Sequence, residues 1–285
     1  MTAVTAAGAA TTSRPTCQRL ARILDRWLLP IYAGAATAYL ILPVAVMILF
    51  SFNDPTGRSN LNFRQFSLDA WLNPLGRPGL GDAVLNSLII AAIATLVSTI
   101  LGTMIALALV RYGFRGRNAT NLLIFLPMSS PEIVLGASLL TLFLSMSVPL
   151  GFGTILLAHI MFSISYVVVT VKARLIGFDR HLEEAAMDLG ANEWTTFRKV
   201  TLPLIAPAVL AAALLVFALS VDDFVITNFN AGTTVTFPLF VWGAARVGAP
   251  PQVNVIGSAI FFVGIIAMVV NVIVQNRRRP SVQPV

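Results

Sequence analysis

The chain has 285 residues, of which 57% are hydrophobic and only 11% are charged, and its mean hydropathy is +0.84. An ordinary soluble domain carries about 25% charged residues, so this composition excludes a disordered chain and argues against a soluble one. The formal net charge of +7 could indicate nucleic-acid binding. The positions of the basic residues relative to a membrane decide whether it does.

Apolar segments recur along the whole chain. About 20 apolar residues in a helix cross a bilayer core, and Pro and Gly divide the longer charge-free stretches. The pattern predicts an all-α membrane bundle of six transmembrane helices, at residues 27–50, 84–110, 121–146, 152–172, 204–227 and 255–275. Residues 1–26 and 276–285 are then tails flanking one permeation domain, 27–275.

The distribution of Lys and Arg predicts the orientation of these spans. Fifteen of the 19 lie in the two tails and in the connections after the second and fourth spans, and four lie elsewhere. Because basic residues favour the cytoplasmic side, both termini are predicted to be cytoplasmic. The excess of basic residues is then explained by the orientation of the spans in the membrane, and no nucleic-acid partner is expected.

The residue inventory argues against enzyme chemistry. Cys17 is the only cysteine, and His159 and His181 are the only histidines, so neither an internal disulfide nor a zinc cage is expected. The sequence contains neither a P-loop nor a G-x-S-x-G motif. We therefore expect no catalytic residue, metal or cofactor, and a packed, hydrogen-bonded role for His159 inside the fourth span.

The connection after the fourth span, residues 177–203, carries the clearest local pattern. Asp179 is a predicted N-cap, Gly190 a predicted stop, Asn192 the predicted cap of a second short helix, and Pro203 the restart into span five. One face of the first helix carries Leu182, Ala185, Ala186 and Leu189. This hairpin either lies on its own bundle or presents its small apolar face to a partner.

The same connection resembles a family signature. Glu184-Ala185-Ala186, three residues, Gly190, nine residues and Val200-x-Leu202-Pro203 match E-A-A-x3-G-x9-I-x-L-P, with Val200 for Ile as the only departure. That signature belongs to the permease subunits of binding-protein-dependent ABC importers. The resemblance implies a coupling helix that seats in an ATP-binding subunit, with coupling residues Glu184, Ala185, Ala186, Gly190, Leu202 and Pro203.

The resemblance also implies a setting and a set of partners. It predicts a multi-pass protein of the bacterial inner membrane, surrounded by lipid and paired with a second homologous permease subunit. Two ATP-binding subunits and an extracytoplasmic substrate-binding protein complete the implied importer. The connection 51–83, which contains Trp71, is the candidate docking surface for that binding protein.

Four further segments, residues 51–53, 131–136, 217–229 and 247–254, are similar to the second permease of bacterial spermidine/putrescine importers. The resemblance implies a polyamine substrate. Permeases for iron, thiamine, sulfate and other solutes share the general plan and remain alternatives. A stand-alone secondary transporter or channel is the rival from a different class.

Three acids inside predicted spans are the candidate substrate-pathway residues: Glu132, Asp222 and Asp223. An ionisable group at the centre of a membrane helix costs about 2.5–3.5 kcal/mol on insertion scales, so it is a functional candidate. Carboxylates and aromatic faces also suit a multivalent cation.

Each of these acids also has a structural interpretation. Glu132 follows Pro127 and Pro131 and could accept N–H groups at a helix break. Asp222 and Asp223 could cap a helix break or contact the partner permease, and only one of two adjacent residues need face a pathway. Tyr166, Phe224 and Trp242 are expected to be packing or lipid-facing residues.

Overall fold

A computed structural model describes residues 15–55, 57 and 59–277. The helices in chain order are α1 (Pro15–Phe50), α2 (Asp69–Leu72), α3 (Leu80–Arg111), α4 (Arg117–Ser129), α5 (Glu132–Ser145), α6 (Phe152–Ile176), α7 (His181–Asp188), α8 (Glu193–Thr196), α9 (Leu202–Asp222), α10 (Val225–Asn230), α11 (Phe237–Val247) and α12 (Pro251–Arg277). A π-helical turn, Phe197–Thr201, joins α8 to α9. Within the described residues β-pairing is limited to one isolated bridge, which confirms the all-α prediction.

Four described helices are long and apolar enough to cross a membrane: Leu28–Phe50, Leu80–Arg111, Phe152–Ile176 and Glu193–Asp222. They correspond to the first, second, fourth and fifth predicted spans. The predicted sixth span lies within α12, of which Pro251–Ile266 is recognised as an apolar helix of shorter length. The count of six spans and the cytoplasmic termini stay predictions, and the tail residues 1–14 and 278–285 lie outside the described residues.

The predicted third span is wrong as one continuous helix. α4 and α5 are bent by 109° at a short break, which Ser130 and Pro131 form. Ser130 is extended, at φ −82° and ψ 140°, because a residue that precedes proline is pushed out of the helical region. The segment is therefore a broken span or a re-entrant loop, and Glu132 lies at the start of α5.

The fifth span also differs from its prediction, at both ends. The chain does not restart at Pro203, because the helix runs from Glu193 through the π turn into α9. Proline lacks an N–H and crowds the carbonyl four residues earlier, and the wider π turn accommodates it. At the other end α9 stops at Asp222, five residues before the predicted limit of 227, and a separate short helix, α10, begins at Val225.

The described residues divide into two compact units. The larger consists mainly of residues 73–250 and is built on α3, α6 and α9. Its core cluster consists of Ala106, Leu109, Val167, Val168, Val171, Leu175, Ile205, Ala212 and Val216. Gly102 lets α3 and α6 approach closely, because a Cβ at this position would lie 2.6 Å from Val167 Cβ.

The smaller unit contains α1, α2, α12 and, of the connection after α1, residues 51–55 and 60–72. Gly257 of α12 lies against α1, where an added Cβ would lie 2.8 Å from Met47 Sδ. The isolated bridge joins Asn53 to Phe66 in this unit. The predicted docking connection, residues 51–83, is therefore divided between the two units, whereas the hairpin and the three acids lie in the larger one.

Candidate functional site

The connection between α6 and α9 folds into the predicted hairpin, and its turn is confirmed. The Gly190 N–H donates to Met187 O at 2.9 Å, and the Ala191 N–H donates to Ala186 O at 3.1 Å. This pair of bonds is a Schellman C-cap. Gly190 has φ +90°, a region that residues with a side chain rarely adopt, so the turn requires glycine.

A side-chain oxygen accepts a backbone N–H at the start of each hairpin helix. Asp179 Oδ1 accepts from the His181 N–H at 3.0 Å, although the helix itself starts at His181. Asn192 Oδ1 accepts from the Thr195 N–H at 2.8 Å, which confirms the predicted cap of the second helix.

One face of the hairpin is held on the chain's own bundle. Glu183 of α7 forms an ion pair with Arg111 at the end of α3, and the Thr201 hydroxyl donates to the same carboxylate. Arg111 also donates to Thr201 Oγ1 at 3.2 Å. Sequence reasoning missed this contact, since its partners are far apart in the chain and the family signature contains only the neighbouring Glu184.

The opposite face of the hairpin is exposed. Ala185 is exposed, the Glu184 side chain is 61% exposed, and Leu189 is 90% exposed. The Glu184 carboxylate has a polar contact within its own helix, where His181 Nδ1 lies 3.1 Å away. The interpretation that the hairpin lies on its own bundle therefore describes one face, and contact of the exposed face with a partner stays a prediction.

The remaining predicted coupling residues have different positions. Ala186 is half-buried on α7. Leu202 and Pro203 are exposed at the start of α9, after the π turn. The structure therefore separates the motif into residues on the hairpin and residues at the base of a span.

Two of the three predicted pathway acids are exposed. Glu132 is the first residue of α5, directly after the break. Asp222 is the last residue of α9, also at a break. Both acids thus lie at interrupted helices and not in the middle of continuous ones, because proline ends α4 and a side-chain cap starts α10.

Asp223 has a different environment, with a side chain only 10% exposed. One carboxylate oxygen, Oδ1, accepts from the Ile226 N–H at 3.3 Å. The other, Oδ2, accepts from the Thr227 N–H and the Thr227 hydroxyl, both at 2.7 Å. Asp223 therefore caps α10, as its structural interpretation proposed.

His159 of α6 completes this cap and is 3% exposed. Its Nε2 lies 3.2 Å from Asp223 Oδ2 and 2.9 Å from Thr227 Oγ1, and its Nδ1 lies 2.7 Å from Ser220 Oγ. Because a carboxylate only accepts, Nε2 carries the hydrogen that faces it. The packed, hydrogen-bonded role predicted for His159 is confirmed, but its partners were not foreseeable.

A cleft of about 500 Å³ opens beside the first turn of α3. Asp82, Asn86, Phe152 and Phe240 line it together with residues 233–235. Asn86 Nδ2 donates to Val235 O at 3.0 Å, which ties α3 to that segment. The cleft combines a carboxylate with aromatic rings, and none of the three predicted pathway acids lines it.

The connection after α1 has its own ordered core. Asn53 is 2% exposed, and its Nδ2 donates to Asn60 Oδ1 at 2.6 Å and to Asn62 O at 2.8 Å. Its Oδ1 accepts from the Arg64 N–H at 2.7 Å. Two buried amides, Asn53 and Asn60, thus organise part of the segment that the sequence suggested for docking.

Aromatic rings cover the same connection. Phe52 stacks between Phe66, at 5.6 Å between ring centroids, and Trp71, at 5.4 Å. The Trp71 Nε1–H donates to Ser51 Oγ at 3.1 Å. Trp71 is therefore held in place by a stack and a hydrogen bond at the surface of the smaller unit.

Comparison with known proteins identifies the family of this chain. Residues 98–279 match the family model described as binding-protein-dependent transport system inner membrane component. The chain belongs to this family. The matched region contains the hairpin, the three predicted acids and His159.

The permease has curated relatives of similar length. It is 37% identical over 241 residues to the spermidine/putrescine transport system permease protein PotC of Haemophilus influenzae, covering 84% of this chain and 93% of that protein. It is also 37% identical over 240 residues to the putrescine transport system permease protein PotI of Escherichia coli K12, covering 81% and 85%. These relatives are transport permease subunits and not enzymes.

Solved structures share the fold of the permease. A chain of a bacterial ABC transporter that imports the acidic polysaccharide alginate superposes with a TM-score of 0.66 at 14% identity, over 93% of this chain and all of that one. A chain of the MetNI methionine ABC transporter gives 0.57 at 17% identity, over 70% and 96%. The protein is thus an inner-membrane permease of a binding-protein-dependent transport system, and it has the fold of ABC transporter permeases.

Proposed function

We propose that this permease forms half of the translocation pathway of an ABC importer for polyamines, of the spermidine and putrescine class. The observation that carries the proposal is the 37% identity to PotC and PotI permeases over most of the chain. The chemistry of the exposed acids is compatible with it, since Glu132 and Asp222 offer carboxylates to a multivalent cation at two interrupted helices.

The complete importer in this proposal contains a second homologous permease, two ATP-binding subunits and an extracytoplasmic substrate-binding protein. One of the solved relatives is an alginate transporter in complex with a ligand-bound periplasmic protein. The connection after α1, with its fixed Trp71, is the proposed docking surface for the binding protein.

Coupling to ATP is proposed to occur through the exposed face of the hairpin. Ala185 permits close approach of a groove, Gly190 forms the turn, and Glu184 is available for a basic residue of the ATP-binding subunit. Glu183 and Arg111 keep the opposite face on α3, so that a push on the hairpin is transmitted to a span. Ala186, Leu202 and Pro203 then support the hairpin and its connection to α9.

The pathway is proposed to use the three acids unequally. Glu132 and Asp222 are exposed and face the substrate, whereas Asp223 contributes by capping the break that ends α9.

The test is uptake of radiolabelled spermidine into proteoliposomes that contain the complete importer. We expect uptake that requires ATP, the ATP-binding subunits and the binding protein. Accumulation against a gradient by this chain alone would identify a secondary transporter. Energised vesicles that take up another solute, but not spermidine or putrescine, would contradict the polyamine assignment alone.

A pair of variants tests the coupling surface. Ala185→Trp places a bulky side chain on the exposed face without disturbing the chain's own packing, and we expect the ATP-binding subunits to be lost on copurification. Ala245→Trp adds the same bulk at an exposed position of α11 and is the matched control. Equal recovery of ATP-binding subunits with both variants would rule out this surface.

A further inference from the structure

His159 is the side chain through which three helices meet at the end of α9. It belongs to α6, its Nδ1 bonds to Ser220 of α9, and its Nε2 bonds to Asp223 and to Thr227 of α10. Both partners of the His159–Asp223 contact are nearly inaccessible, with side chains 4% and 10% exposed. A polar group so deeply buried strongly favours the geometry in which its hydrogen bonds are made.

The first consequence of this contact is that α9 ends where it does. Asp223 has ψ 120°, outside the helical region, and its carboxylate is directed at the free N–H groups of α10. If Asp223 lost its histidine donor, the backbone would be freer to continue α9 through residues 223–227. The residue before the break, Asp222, is exposed while the chain turns away after it.

The second consequence concerns α5, on which α10 lies. Asn230 Nδ2 donates to Gly136 O at 3.4 Å, and a Cβ on Gly136 would lie 2.8 Å from Phe229 Cδ2. The absence of a side chain at Gly136 is therefore what allows the two helices to touch. Gly136 lies four residues after Glu132, on the same face of α5.

The two breaks are thus mechanically connected. His159 holds Asp223, Asp223 caps α10, and α10 rests on α5 one turn after Glu132. Asp222 directly precedes Asp223 at the first of these contacts, and Glu132 lies one turn before the last of them.

We propose that His159 is a positioning residue for cation translocation, which sets the geometry of Asp222 and Glu132 by holding the cap between α9 and α10. His159 itself is too deeply buried to contact substrate and acts through Asp223. The inference rests on the proposed polyamine pathway and adds to it the residue that determines the pathway's shape.

A double-mutant cycle in the reconstituted importer tests the proposal. The KM and kcat for ATP-dependent spermidine uptake are measured for the wild type, His159→Leu, Asp222→Asn and the double variant. We expect His159→Leu to raise KM about tenfold, and to have little further effect when Asp222 is already neutral, since coupled residues are non-additive. His159→Gln, which keeps an N–H donor, should restore most of the loss.

Controls separate positioning from folding. Ser163→Ala removes a buried hydroxyl one turn further along α6 and should leave KM unchanged. If His159→Leu does not assemble with the ATP-binding subunits, Ser220→Ala replaces it in the cycle, because it removes only the bond to Nδ1.

The outcomes distinguish this inference from the proposed function. The positioning role would be overturned if His159→Leu raised KM by the same factor in the wild type and in the Asp222→Asn variant. The polyamine function would stand in that case. An unchanged KM in Asp222→Asn would overturn it as well. A wild-type importer that does not transport spermidine would overturn the proposed substrate first, and the inference with it.

Discussion

Glu183 and Arg111 form an ion pair across 72 residues of sequence. Arg111 is the last residue of α3, and Glu183 lies in the first turn of α7. The Thr201 hydroxyl donates to the same carboxylate, so the hairpin is tied to the end of one span and the base of another. The side chain of the adjacent Glu184 is 61% exposed, so the two neighbouring glutamates have different environments.

We therefore expect different effects from neutralising these two glutamates. Glu183→Gln breaks a partly buried charged contact and should destabilise the permease by about 1–3 kcal/mol. Glu184→Gln should change stability by about 0.5 kcal/mol or less while weakening the retention of ATP-binding subunits. Thermal unfolding and copurification of the two variants check this, and the reverse assignment of effects would contradict the geometry.

The turn at Gly190 predicts a conformational cost for any side chain. Gly190→Ala must hold φ near +90° and should cost about 1–2 kcal/mol, with fewer ATP-binding subunits retained. Gly190→Asn should cost less, since asparagine tolerates this region. Gly177→Ala, at an ordinary φ of −87°, is the control in the same connection. Copurification yields that are equal for positions 190 and 177 would refute the requirement for glycine.

The buried amide of Asn53 predicts the order of the connection after α1. Asn53→Ala removes the acceptor of the Arg64 N–H and the donor to Asn60 Oδ1, at a cost of about 1–3 kcal/mol. We expect faster protease cleavage within residues 51–72 and weaker stimulation of ATP hydrolysis by the binding protein. Asn62→Ala removes an exposed amide and should cleave like the wild type. Identical cleavage of both variants would count against this network.

The carboxylates of Asp222 and Asp223 should respond differently to amide replacement. Both oxygens of Asp223 accept from N–H or O–H donors, so the NH₂ group of Asp223→Asn must oppose a donor and destabilise the break. Asp222→Asn has no such conflict at its exposed position and should lower spermidine uptake with assembly intact. Glu132→Gln should behave like Asp222→Asn. Uptake and thermal stability of the three variants, measured together, check the distinction.

Helix breaks show how far local sequence signals could predict the fold, since a proline marked the break in the third span although that span was predicted as one helix. Pro131 and its preceding residue mark the break between α4 and α5, and the alternative interpretation of Glu132 already considered such a break. The π turn before Pro203 was not predictable, because proline is also common at the start of a helix. Only the continuous packing of α8, the π turn and α9 distinguishes these two arrangements.

Long-range partners could not be derived from the chain. His159 lies 64 residues from Asp223, and any of several buried hydroxyls or carboxylates could have satisfied it. The same holds for Asp82, which is an ordinary first-turn acid in the sequence and lines a cleft only because three distant segments meet there.

The sequence by itself determined the helical membrane architecture, the hairpin with its glycine turn, and the family. These follow from local chemistry: apolar length, capping side chains and a spaced motif act within a few residues. The tertiary structure alone decided that Glu183 and not Glu184 holds the hairpin, and that Asp223 is a cap while Asp222 is exposed. Those differences depend on which distant helix each side chain meets, and adjacent residues on a helix point in directions about 100° apart.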